Sequence, residues 1–126
     1  MDFTVELYNE LCHPTAPPLL REWACQPPAW LEVASVNPID DETFRALGAG
    51  ERAAITLALS MHANLILIDE RKGTKAALNK GLDVVGTLGI LRLAAQRGLI
   101  DLAACFARLK RTNFRFRQDI MDAMLA

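Results

Sequence analysis

The stretch ERAAITLALSMHANLILIDERKGTKAALNKGLDVVG, residues 51–86, decides the fold class. From Glu51 to His62 the spacing is helical, with Ile55, Leu59 and the neighbouring alanines as the buried stripe. LILI at 65–68 follows, four consecutive large apolar residues closed by Asp69. Such a run predicts a strand buried on both faces, as in a parallel sheet covered by helices. Lys75–Lys80 predicts a short helix ended by Gly81, and DVVG at 83–86 a second buried strand. Thr87 is the expected cap of a further helix through Arg97, with Gly98 as its stop. Helix and strand alternating over short links predict an α/β sheet.

Working outward, residues 4–12 predict a short helix stopped by Pro14. Pro17 and Pro18 open a second, with Leu19, Leu20, Trp23 and Ala24 expected on its inner face. WLEVASV at 30–36 alternates as a strand does, and Asp40 or Asp41 is the expected cap of a short helix through Leu47. On the C-terminal side, 100–111 and 118–125 are amphipathic helical segments.

Composition narrows the class. The 126 residues are 52% apolar and 23% charged, which excludes a disordered chain, a collagen-like repeat or a bare coiled coil. No apolar run approaches the roughly 20 residues that cross a bilayer, and Glu6 and Glu10 interrupt the N-terminus where a signal peptide is apolar. The expected setting is the cytoplasm, with no membrane partner. Cys12, Cys25 and Cys105 show no paired spacing, and His13 and His62 supply no zinc pattern. The formal charge of −1 conceals −8 over residues 1–70 and +7 over residues 71–126. An acidic half can collect divalent cations and a basic half can attract a polyanion, although two solvated faces could also simply segregate.

Open α/β sheets carry functional groups beyond the carboxyl ends of their strands. Asp69 stands there, followed by Glu70 and the cations Arg71, Lys72 and Lys75, while Glu51 opens the preceding helix at the same edge. Two converging carboxylates can hold a hard cation such as Mg²⁺ or Mn²⁺. Taken singly, Glu51 is a dipole-favoured first-turn residue, Asp69 a turn former, and the three cations a solvated face. Trp23 and Trp30, flanked by prolines, fit packing better than base stacking.

The segment from Gly48 to Asp101 closely resembles the PIN-domain-like branch of predicted nucleic-acid-binding proteins, distant relatives of VapC-type toxin ribonucleases. GE at 50–51, LIDERKG at 67–73 and GTLGIL at 86–91 carry the resemblance. EL at 10–11, HP at 13–14 and PPAWLEV at 27–33 extend it over nearly the whole chain. It implies a three-layer α/β/α fold around a parallel sheet, and metal-dependent cleavage of RNA by a carboxylate cluster. By position, Glu10, Glu51 and Asp69 match the catalytic, metal-holding acids, with Glu70 as an adjunct ligand and Thr87 near the site. Mg²⁺, or Mn²⁺, is the implied cofactor.

Arg71, Lys72, Lys75, Lys110, Arg111, Arg115 and Arg117 are the expected RNA-binding residues, and an antitoxin protein is a further implied partner. The alternative is an inactive remnant that binds nucleic acid or a partner protein. The family opens with a strand bearing its first catalytic Asp, whereas MDFTVELYNEL begins at the early helix and Asp2 lies too close to Glu10 to replace that residue. The chain therefore reads as a PIN-like domain partial at its N-terminus. The edge left open beside 65–68 calls for a homodimer, or for the strand at 30–36 to move in.

Overall fold

A computed structural model describes residues 1–37, 39 and 41–126, leaving aside the side chain of residue 43. The architecture is mixed α/β, as expected, with parallel strand pairing and seven α-helices among the described residues. The chain forms two compact units, Met1–Val84 and Val85–Ala126.

The first unit opens on a strand. β1 (Asp2–Thr4) pairs in parallel with β2 (Glu32–Ala34), in the register Asp2 to Glu32, Phe3 to Val33 and Thr4 to Ala34. Three residues are too few to show alternation, so the sequence pattern merges β1 into the helix that follows. Thr4 marks the switch. It is buried, and its Oγ1 accepts a hydrogen bond from Leu7 N at 3.2 Å, capping α1 (Val5–Cys12). The pairing of β2 with β1 also corrects the expectation that residues 30–36 could complete the edge beside 65–68.

α2 (Pro18–Cys25) begins at its prolines as expected. Its inner face is narrower than the apolar pattern indicates: Ala24 is the one buried residue, while Leu19 is 82% exposed. A 3-10 turn at Glu42–Phe44 replaces the short helix expected before Leu47, and the alternative cap at Asp40 lies outside the described residues.

α3 (Ala49–Ser60) buries Ala53, Ile55, Leu57 and Ala58. Ile55 and Ala58 join a core with Phe44, Leu47, Ile66, Ile68, Ala77 and Leu82. β3 (Ile66–Leu67) pairs with β4 (Val84–Val85), and Ile66 N donates to Asp83 O at 2.9 Å. LILI is not buried on both faces. Ile66 and Ile68 are buried while Leu65 and Leu67 are 46% and 44% exposed, because side chains alternate along a strand and the core lies against one side.

α4 (Arg71–Asn79) starts a turn earlier than its apolar pattern indicates and is the crossover from β3 to β4. Gly81, at φ +82°, ends it: Gly81 N donates to Leu78 O and Leu82 N to Ala77 O, a Schellman closure.

The second unit holds α5 (Thr87–Gln96), α6 (Leu102–Leu109) and α7 (Gln118–Leu125). Gly86, not Thr87, occupies the cap position of α5; Thr87 is its first helical residue. Gly98, at φ +73°, closes α5 by the same Schellman pattern, with Leu99 N donating to Ala94 O. α6 packs on both α5 and α7, and Phe106 and Met121 are the buried side chains of α6 and α7.

Candidate functional site

Three glycines of the first unit act as a floor on which glutamates lie. Glu10 reaches from α1 until its Oε1 stands 3.2 Å from the point where a β-carbon on Gly50 would project. Glu51 folds back over the N-cap of α3, its Oε2 only 2.6 Å from the corresponding point on Gly48. At Gly73, in the first turn of α4, a β-carbon would meet Glu51 Cγ at 3.2 Å, Ile68 Cγ2 at 3.2 Å and Glu70 Oε2 at 3.3 Å. Folding thus brings glutamates of α1, α3 and the start of α4 onto neighbouring glycines. Neither Glu10 nor Glu51 has a hydrogen-bond or ion-pair partner among the described residues.

Glu70 does a different job. It is the N-cap of α4, with Oε1 accepting from Lys72 N at 2.8 Å and Oε2 from Gly73 N at 2.6 Å. These two backbone donors, Gly73 first, hold its carboxyl below the ordinary glutamate value. The cap and the glycine that lets it close are what sequence reasoning missed. Their signal is an acidic residue followed at the third position by glycine, directly after an apolar run.

Asp69 lines an open cleft of about 440 Å³ with Arg71, Thr74, Lys75, Leu78 and Asn79. At 3.6 residues per turn, Arg71, Thr74, Lys75 and Leu78 share one face of α4, and Gly73, Ala76 and Ala77 share the opposite, buried one. Glu51 therefore meets α4 on its Gly73 side, while Asp69 borders the cleft on the other. Lys72 is exposed beside them. Lys110, Arg111, Arg115 and Arg117 belong to the second unit, where all four are exposed.

The expected cation can be tested against this geometry. The donors are hard carboxylate oxygens, the right chemistry for Mg²⁺ or Mn²⁺. Among the described residues, however, no three His, Cys, Asp or Glu side chains gather closely enough to hold a metal ion. Both oxygens of Glu70 are already engaged by the α4 backbone. In this arrangement the acids do not fit a metal site.

None of the helices among the described residues is long and apolar enough to cross a membrane. No curated protein and no solved structure matches the chain. One family model, DUF3368, described as a PIN domain, matches residues 4–126 and so spans both compact units. PIN domains are nuclease-type domains that generally depend on a divalent metal. The chain belongs to the PIN-domain family.

Proposed function

We propose that the chain is a PIN-type endoribonuclease, the toxin of a toxin–antitoxin pair, with Glu10, Glu51 and Asp69 as its working acids; the Mg²⁺ or Mn²⁺ that the resemblance implies would require these acids to draw closer together than they stand here. The observation that carries this reading is the gathering of Glu10 and Glu51 at the start of α3. Carboxylates from separate helices lie against Gly50 and Gly48, and neither forms an ion pair with a cation of the described residues. Acidic side chains from two helices that converge on one helix start with no partner of their own are the kind of group a catalytic site uses.

Either unpartnered carboxylate can accept a hydrogen bond from water and orient it toward a phosphodiester. Arg71, Lys72 and Lys75 of the first unit would hold the phosphate backbone as point charges, and Lys110, Arg111, Arg115 and Arg117 of the second unit would bind phosphates in the same way, without reading sequence. Two protein partners complete the proposal: an antitoxin, and a second copy of the chain.

The absence of a three-acid group among the described residues favours a second reading, a PIN-like module that binds nucleic acid or a partner protein without cutting. End-labelled RNA incubated with the purified chain in Mg²⁺, Mn²⁺ or EDTA separates the two. A nuclease cleaves only with metal and loses about a hundredfold or more in rate in Glu51→Gln and Asp69→Asn. Salt-sensitive binding with no cleavage supports the second reading. Neither binding nor cleavage removes both.

A further inference from the structure

The eight residues between α6 and α7, KRTNFRFR at 110–117, combine cations with aromatic rings. Hydrogen bonds organise the start of this segment. Thr112 Oγ1 donates to Leu109 O at 2.7 Å and accepts from Phe114 N at 3.1 Å, while Arg111 N and Thr112 N donate to Arg108 O and Leu109 O.

The charges on this segment are not equivalent. Arg117 is neutralised by Asp119, with Nε to Oδ1 at 3.2 Å and a terminal nitrogen to Oδ2 at 2.7 Å. Lys110, Arg111 and Arg115 have no acidic partner among the described residues, and all three are exposed. Phe114 is half-buried, whereas Phe116 is 38% exposed, with Lys110 Nζ 5.7 Å from its ring centre. An accessible ring therefore stands beside cations with nothing to neutralise them.

We infer that residues 110–117 form a grip for single-stranded RNA, in which Phe116 stacks on an unpaired base while Lys110, Arg111 and Arg115 hold the flanking phosphates. The inference rests on the reading that the chain works on RNA, and it adds which form of RNA and which residues distinguish it. Every base offers a π-face, so stacking tolerates sequence but requires the base to be free. In an A-form duplex the bases are stacked on one another and leave a lone ring no face to cover. Lys110 Nζ lies over the Phe116 ring, 5.7 Å from its centre, so a base stacking on the exposed part of that ring would bring its phosphate within reach of the ammonium.

The test uses the full chain in EDTA with a fluorescent 12-residue single-stranded RNA, the same RNA as a duplex, and heparin. Phe116→Ala should weaken single-strand binding about tenfold and leave duplex and heparin binding unchanged. Phe116→Trp should restore it. Lys110→Gln and Arg111→Gln should weaken all three ligands and each lower the salt dependence by about one counterion. The inference is overturned if Phe116→Ala leaves single-strand affinity intact, if it weakens heparin equally, or if the chain binds no RNA. Cleavage is scored separately. Phe116-dependent binding without cleavage removes the nuclease reading alone, and cleavage with Phe116-independent binding removes the grip alone.

Discussion

Glu51 Cγ lies 3.2 Å from the point where a β-carbon would leave Gly73, so the absence of a side chain at position 73 gives Glu51, on α3, room to approach α4. The contact links the two helices at the end of each where candidate acids stand. Gly73 also donates its backbone N–H to Glu70, so one glycine sets the positions of two carboxylates.

Gly73→Ala tests this link. A methyl group there meets Glu51, Ile68 and Glu70 at 3.2–3.3 Å, tighter than ordinary contact on three sides. Helix propensity favours alanine by about 1 kcal/mol, while overpacking a buried site costs about 1–3 kcal/mol. The expected result in urea denaturation is a net loss of up to about 2 kcal/mol. Glu51 is displaced as well, so RNA processing should fall more than stability does. A variant as stable and as active as the natural chain would show that Glu51 shifts freely.

Glu70 gives a pH signature. Hydrogen bonds from Gly73 N and Lys72 N lower its folded-state value, so the folded chain binds its proton less readily than the unfolded one. Its contribution to stability is therefore complete above the ordinary glutamate value of about 4.3 and is lost as pH falls through the lower, folded value. Melting temperature should drop over that acidic window, and the drop should be shallower in Glu70→Gln. Parallel pH profiles for the two proteins would remove the cap from the account.

Lys80 ties the end of α4 to the segment before α3. Its Nζ stands 2.6 Å from Asp41 Oδ2 and 5.3 Å from the centre of the buried Phe44 ring, and both charged side chains are about two-thirds buried or more. Removing the ammonium with Lys80→Met keeps most of the stem and leaves Asp41 without this partner. A loss of about 1–2 kcal/mol is expected from the partly desolvated pair together with the cation–π contact. Measurement at low and at molar salt should show the difference shrinking only in part, since a half-buried pair is incompletely screened. A loss that vanishes entirely in salt would place the pair at the surface.

The central α–β–α–β–α order was legible in part because two of its helix stops are chemical: Gly81 and Gly98, after α4 and α5, both adopt the positive φ that their place after a helical run demands. Element starts were less legible. α4 begins at Arg71 because Glu70 caps it, and a charged first turn hides inside what reads as a basic loop. β1 was invisible because its partner, β2, lies far along the chain and three residues carry no period. For the site, residue type and order pointed to Glu51 and Asp69, whereas Glu10 came only from the family resemblance, since a glutamate on a helix otherwise reads as a surface carboxylate. Gly73 left a signal in its place three residues after Glu70, but the approach of Glu10 to Gly50 and of Glu51 to Gly73 was not legible, since contacts between separate helices leave no mark on either one alone.

The open face of β3 leads to the last prediction. Leu65 and Leu67 are nearly half exposed while Ile66 and Ile68 are buried, and β3 pairs with β4 alone in a two-stranded sheet among the described residues. An apolar strand with a free edge is a template for association, and the simplest closure is a symmetric dimer in which a second copy covers that side. Sedimentation at micromolar concentration should give a dimer. Leu67→Lys places a charge on the exposed face without touching the core, so it should give a monomer with unchanged circular dichroism at about 25 °C and a melting temperature that no longer rises with protein concentration. Lys72→Gln, a change of similar size on the neighbouring helix, should leave the dimer intact. A natural chain that sediments as a monomer across that range removes the second copy, and the exposed leucines then count as ordinary surface apolar area.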